Sequence, residues 1–291
     1  MRILILGGGG MLGHRLVGAL REDFDVWATL RGSIRAYERY RLFDPERTFG
    51  GIDALNFDAL TEVIAHVRPD AVVNCIGIIK QLAAAKDPFL SVAVNSLLPH
   101  RLHRLCRAAR TRLIHFSTDC VFSGRTGNYV EDDPSDALDL YGRSKFLGET
   151  VGEGGLTIRS SIIGHELEGT TGLVEWFLSQ QGARVDGYRR AIFSGFTTHE
   201  MARIVSKVLT EHPELSGTLQ VSAERINKYD LLTLIRQAYG LDIEIVPDDT
   251  VQIDRSLDST RFRRLTGYAP PSWPQMIEEM AESRCSTTRP S

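Results

Sequence analysis

Four consecutive glycines, Gly7 to Gly10, follow directly on the apolar run Arg2 to Leu6 (R-I-L-I-L). From Met11 to Leu20 apolar residues then recur at helical spacing. A buried strand that turns through glycine into a helix is how a doubly wound α/β fold begins. Gly7, Gly10 and Gly13 give G-x-x-G-x-x-G across that turn. A dinucleotide needs this arrangement for a tight turn, for close approach of the backbone to its pyrophosphate, and for a helix N-terminus that holds the phosphate. Gly7, Gly10 and Gly13, with Met11 and Leu12 at the helix start, are therefore read as cofactor-binding. The spacing differs from the G-x-G-x-x-G of the most familiar dehydrogenases.

The rest of the first half repeats the strand and helix alternation. Phe24 to Leu30 reads as a second strand, whose end meets the adenosine ribose. An acid there would select NAD, whereas Arg31, with no acid between Thr29 and Ala36, favours NADP and leaves NAD open. The segment Ala36 to Gly51 is aperiodic and receives no assignment. Asp53 and Ala54 precede a helix predicted over Asp58 to His66 and stand where an adenine ring would be contacted. A third strand, A-V-V-N-C-I, runs through Cys75 to Gly77, where a small residue lets a cofactor pass closely. Lys80 and Gln81 follow at the same sheet edge and are candidates for meeting substrate or a cofactor phosphate. Asp87-Pro88 starts a helix predicted to run to Ala109, with Asn95 inside it. Facing the sheet, Asn95 could bond a strand backbone, and it is counted with the cofactor side.

Arg112 to Ser117 is a fourth strand, leading into S-T-D-C-V-F-S-G at 117–124. A long polar connection, Phe122 to Asp139, precedes a helix predicted over Tyr141 to Val151, and Leu156 to Arg159 is a fifth strand. Tyr141 and Lys145 lie four apart, on one helix face and roughly 6 Å apart along its axis. An ammonium beside a phenol favours phenolate, so the Tyr141 pKa is expected to fall from about 10 toward the working pH. With 8 Tyr and 5 Lys in 291 residues, chance supplies about 0.14 such pairs per chain. The pair gains its meaning from the glycine turn that precedes it.

Beyond Ser160 the alternation loosens. Helices are predicted over Leu173 to Gln180, Thr198 to Leu209, Tyr229 to Tyr239 and Pro274 to Ala281, separated by strands around Thr218 to Val221 and Ile243 to Val246. The reading is a Rossmann-type doubly wound parallel sheet over 1–160, carrying the Tyr141 helix, and a smaller mixed α/β substrate-binding part over 161–283. Some strands and helices of that second part return to the core. Trp176 lies in it as a candidate sugar or nucleotide contact, and 284–291 reads as a polar, disordered tail.

Charge excludes some partners. With 34 Lys+Arg against 37 Asp+Glu the net charge is −3, which offers no footprint for nucleic acid or an anionic membrane. Cys75, Cys106, Cys120 and Cys285 show no C-x-x-C spacing and no histidines at zinc-site intervals, so no metal is expected. The glycines interrupt the first apolar run too early for a signal peptide, and no run reaches the roughly 18 residues of a membrane span. A cytoplasmic protein with reduced thiols is the expectation.

The assembled motifs resemble the extended short-chain dehydrogenase/reductase superfamily, in the branch that contains dTDP-4-dehydrorhamnose reductase. They are M-R-I-L-I-L-G-G-G-G-M-L-G, S-T-D-x-V-F-x-G, Y-x-x-x-K with Gly148-Glu149, and F-S-G-F-T-T at 193–198. The resemblance implies that Thr118 bonds the substrate carbonyl, Tyr141 donates the proton, and Lys145 holds the nicotinamide ribose while tuning the tyrosine. It places Asp119 and Cys120 on the substrate side, and it implies a homodimer paired through the helices that start near Asp87 and Tyr141. Two departures stand out: Cys120 replaces the tyrosine usual after S-T-D, and C-I-G-I-I-K-Q replaces apolar and small residues. Both lie at the sugar's edge of the site.

The function expected is NADPH-dependent reduction of the 4-keto group of a nucleotide-linked deoxysugar, in polysaccharide or nucleotide-sugar biosynthesis. A nucleotide-sugar epimerase and a non-catalytic NADP-binding regulatory subunit are the alternatives. A dehydratase would carry a glutamate where Cys120 stands.

Overall fold

The computed structural model describes residues 1–150 and 152–287. Its main sheet has β1 (Arg2–Leu6), β2 (Asp25–Thr29), β3 (Thr48–Phe49), β4 (Ala71–Asn74), β5 (Arg112–Ser117), β6 (Gly155–Arg159) and a last strand, Gly217–Gln220. The spatial order is β3-β2-β1-β4-β5-β6 and then Gly217–Gln220, every pair parallel. This is the Rossmann-type doubly wound sheet. The strand order reverses between β1 and β4, and a ligand crevice opens there, outside the carboxyl ends of the strands.

Central strands buried on both faces read as unbroken apolar runs. Ile3, Leu4, Ile5 and Leu6 are all fully buried. The strand period of two sends Ile3 and Ile5 to the face packed by Leu12 and Leu16 of α1 (Met11–Leu20). Leu4 and Leu6 pack on the opposite face with Leu60 and Ile64 of α2 (Phe57–Val67). The Asn56 side chain caps α2 by accepting from the Ala59 N–H at 3.2 Å.

The unassigned segment 36–51 takes in most of a 3₁₀ turn, Ile34–Tyr40, and the edge strand β3, which pairs Thr48 and Phe49 with Ala28 and Thr29 of β2. Two residues are too few to show a period.

The helix expected from Asp87 to Ala109 is not regular. It comprises α3 (Pro88–Ser91), a π turn at Val92–Leu97, and α4 (Leu98–Ala108). Pro99 has no N–H to give the Asn95 carbonyl four residues back, so the ladder widens there. Gly148 fills the opening, since a side chain on it would collide with that carbonyl. Gly148 also ends the next helix, α5 (Leu140–Leu147), earlier than the expected Val151, which lies outside the described residues.

In the second half, helices run over Leu173–Leu178, Thr198–Thr210, Lys228–Tyr239 and Trp273–Thr287. The helix Thr260–Thr266 and the strand Arg184–Tyr188 gave no sequence signal; the strand pairs with Glu244–Asp248. A further small sheet joins Ile226–Asn227, Ala191–Phe193 and Ile253–Asp254. A disordered tail from Arg284 was expected, but the last helix continues to Thr287 and places the Arg284 guanidinium 3.5 Å from the Glu175 carboxylate. Residues 288–291 of that expected tail lie outside the described residues. Among the described residues no helix is long and apolar enough to cross a membrane, and no cluster of three metal-ligating side chains occurs.

Candidate active site

The glycine turn joins β1 to α1 at the crevice. Gly7 has φ of 82°, a conformation that favours glycine, and its N–H donates to the Thr29 hydroxyl at 3.1 Å. A side chain on Gly13 would collide with the Gly7 carbonyl, so α1 can seat on the turn only with glycine there. Gly10 begins α1 without a side-chain cap. The first-turn N–H groups, around Met11 and Leu12, are thus left to an outside acceptor, as a pyrophosphate requires. The residues present fit a dinucleotide.

At the end of β2, Leu30 N–H donates to the Phe49 carbonyl at 2.8 Å and Ile52 N–H to the Leu30 carbonyl at 3.0 Å. These bonds bring Arg31 and Asp53 to one edge of the crevice. Arg31 is exposed, and among the described residues its guanidinium has no hydrogen bond or ion pair. Asp53 accepts from Leu55 N–H at 2.9 Å, and Ala54 packs on the core beneath. Tyr37 was not foreseen here. Its hydroxyl lies 2.9 Å from where a Gly9 side chain would start, and its ring lines Gly32. The neighbouring Tyr40 hydroxyl donates to the Leu167 carbonyl at 2.5 Å, and Arg39 pairs with Glu168 at 2.7 Å, which ties this segment to the second half.

The reacting group lies at the end of β5. Thr118 donates to the Asp119 carboxylate at 3.1 Å and accepts from Cys120 N–H at 3.1 Å. Its side chain also meets the Tyr141 phenol. The Asp139 carboxylate caps α5 by accepting from Gly142 N–H at 2.8 Å, which fixes the start of the helix that carries Tyr141 and Lys145. A side chain on Gly142 would strike the Cys120 carbonyl, so α5 lies directly on the Thr118–Cys120 turn.

The expectation for Tyr141 is corrected. Burial pushes its phenol above the ordinary value near 10, Cys120 adds to the rise, Thr118 opposes it, and Asp119 and Asp139 add further. Lys145, buried, points its ammonium at the Phe116 carbonyl, 2.6 Å away, instead of drawing the phenol down. Burial pushes Lys145 down to about 8, against the upward pull of Glu149 and then Cys75. The phenol thus keeps its proton at neutral pH, beside an ammonium that burial makes easier to deprotonate.

Cys75 and Gly77 line the floor next to Lys145: burial pushes the Cys75 thiol up, and a side chain on Gly77 would begin 3.9 Å from the Lys145 nitrogen. Asn95, counted with the cofactor side, is held by bonds within the chain. Its amide accepts from Ile78 N–H at 2.9 Å and donates to the Ile78 carbonyl at 3.0 Å and to the Ser144 hydroxyl at 3.2 Å. Both of its donor hydrogens are used, so it clamps the post-β4 loop to α5.

On the substrate side, burial holds Asp119 above the ordinary carboxylate range, and burial with Asp119 pushes the Cys120 thiol up to about 12. Lys80 pairs with the α5 cap Asp139 at 2.8 Å, at the mouth of the site. Gln81 is exposed beyond it. Trp176 is half exposed beside Phe177, and no contact joins it to the Thr118 and Tyr141 group among the described residues.

Sequence reasoning missed two cations. Lys228 and Arg255 both act on the Asp119 carboxylate and the Cys120 thiol. A lysine in the first turn of a helix opposes the helix dipole, and that was the available signal for Lys228.

A family model described as the RmlD substrate binding domain matches residues 1–284. The chain belongs to the RmlD substrate-binding domain family. One relative is the "Probable low-salt glycan biosynthesis reductase Agl14" of Haloferax volcanii, 28% identical over 91% of this chain and 88% of its own length. Another is methionine adenosyltransferase 2 subunit beta of Danio rerio, 29% identical over 82% of this chain and 74% of its own. Among solved structures, the dTDP-4-dehydrorhamnose reductase of Bacillus anthracis in complex with NADP is similar, with a TM-score of 0.79 and 20% identity over 97% of this chain and 99% of that one. The RmlD fold and this chain's fold are the same Rossmann-like architecture.

Proposed function

We propose that this RmlD-family chain uses NADPH to reduce the 4-keto group of a nucleotide-linked deoxysugar, for the biosynthesis of a polysaccharide or glycan. Its class is NAD(P)-dependent oxidoreductase. One observation carries the reading: Thr118 and Tyr141 are in side-chain contact at the carboxyl end of β5, with Lys145 one helical turn behind Tyr141 and beside the crevice floor. The relative named as a glycan biosynthesis reductase and the neighbour solved with NADP support it.

Bound NADPH supplies the hydride. Thr118, positioned by the Cys120 amide, turns its single O–H from the Asp119 carboxylate to the carbonyl oxygen and stabilises the growing alkoxide. Tyr141, its proton retained by burial, donates that proton to the alkoxide oxygen. Lys145 spends one of its three N–H groups on Phe116 and keeps the others for a ribose at Gly77. The test is NADPH oxidation against dTDP-, UDP- and GDP-linked 4-ketosugars, with turnover expected for at least one. Failure with all of them would favour a binding subunit.

Arg31 is read as the 2′-phosphate ligand. Its replacement, Arg31→Ala, should weaken NADPH roughly tenfold or more, the scale of one charge-assisted hydrogen bond, and leave NADH unchanged. Equal Kd values for NADPH in both proteins would remove that role.

Glu149 is the largest influence holding Lys145 up against burial. In Glu149→Gln the ammonium loses its proton at a lower pH than in the wild type. The alkaline limb of kcat/KM for NADPH should move to lower pH, which a pH–rate profile of the folded variant measures. A limb left in place would show that Lys145 does not set it.

A further inference from the structure

Lys228 and Arg255 arrive at the reacting group from parts of the chain far beyond it in sequence. Lys228 opens the helix Lys228–Tyr239, fixed by the Asn227 side chain, which accepts from Asp230 N–H at 2.8 Å. Its ammonium lies 4.2 Å from the centre of the Phe193 ring and acts on Asp119 and Cys120. Arg255 sits on a segment stitched to the loop after β5: Asp254 N–H donates to the Gly124 carbonyl at 2.8 Å, and Tyr129 N–H to the Ser256 carbonyl at 3.0 Å. Its Nε donates to the Phe122 carbonyl at 2.8 Å.

Neither cation is used up by the protein. Among the described residues Lys228 makes no hydrogen bond or ion pair, and Arg255 spends only Nε. Both are partly open to solvent. Among the described residues the neighbouring Asp119 carboxylate forms no ion pair with either cation, and one carboxylate cannot compensate two. Two cations on rigid supports facing one carboxylate leave positive charge uncompensated until a further anion completes them. Asp119 directly follows Thr118, so that anion sits next to the carbonyl being reduced.

We infer that Lys228 and Arg255 form an anion subsite on the sugar side of the cleft, which takes an acidic group carried by the substrate itself. The chemistry fits either the diphosphate that links nucleoside to sugar or a carboxylate on the sugar ring. Arg255 presents two free terminal amino groups to such oxygens, and Lys228 adds a point charge. The inference rests on the nucleotide-sugar reading of this site.

Calorimetric titration of the NADP-bound protein with UDP, dTDP, UDP-glucose and UDP-glucuronate tests it, using the wild type, Lys228→Gln, Arg255→Gln and the conservative Lys228→Arg. Each glutamine variant should bind roughly tenfold to a hundredfold more weakly, with Lys228→Arg largely restored and NADP affinity kept. Weakening already seen with UDP or dTDP identifies the diphosphate as the anion. Weakening confined to UDP-glucuronate identifies a sugar carboxylate. Affinities equal to the wild type for all four ligands overturn the subsite. Wild-type turnover of a nucleotide ketosugar, measured separately, decides the reductase reading, so the two can fail independently.

Discussion

Replacing Tyr141 by phenylalanine is expected to lower kcat roughly a hundredfold to ten-thousandfold while NADPH binding is kept. The substitution removes one oxygen and leaves the ring that fills the space against Thr118 and Cys120. The phenol meets the Thr118 side chain, which places it to give up a proton to an oxygen that Thr118 holds, whereas Lys145 faces the Phe116 carbonyl. The variant also separates the classes of function. A regulatory subunit would keep its role, because its cofactor turn and surface are unaltered. A redox-neutral epimerase would lose activity too, yet its wild type would consume no NADPH in steady state. Retention of more than about a tenth of kcat in Tyr141→Phe would mean that the proton comes from elsewhere.

The second large effect is on stability. Arg159 and Glu149 form a bidentate pair behind the site, Nε to one carboxylate oxygen and a terminal nitrogen to the other, both at 2.7 Å. Their side chains are only 5% and 6% exposed, so solvent screens little of the interaction. Ser117 donates to the same carboxylate at 2.7 Å, and Arg159 also donates to the Glu131 carbonyl at 3.2 Å. Arg159→Leu strands the Glu149 charge and should cost about 3–5 kcal/mol in urea unfolding. Converting both residues to leucine should recover much of that loss, because the desolvation cost goes with the charges. A single variant within about 1 kcal/mol of the wild type would show that water reaches the pair.

The two halves of the site differ in how legible they were in sequence. Arg2–Leu6 and the glycines after it announce strand, turn and helix within a dozen residues, because each local preference agrees with the fold around it. Tyr141 and Lys145 share a helix face, so their spacing was readable as well. The direction of the Tyr141 pKa was not, because it depends on Asp119, Cys120 and the depth of the fold around the phenol. Asn95 was placed in a regular helix, yet Pro99 opens a π turn there and the amide is spent on Ile78 and Ser144. Lys228 begins a helix and Arg255 follows the strand Ile253–Asp254, both next to two-residue strands that pair with the distant Ala191–Phe193, and no local period marks them.

Hydride destination is the most direct test of the central reading, in which Thr118 and Tyr141 serve reduction at C4 of a nucleotide-linked sugar. NADPH deuterated on the transferred position would be incubated with the 4-ketosugar turned over best, and the product examined by NMR. One deuterium at C4 of the sugar, absent from the Tyr141→Phe reaction over the same time, is the expected result. NADPH consumption without deuterium at C4, or product formed with none consumed, would contradict it.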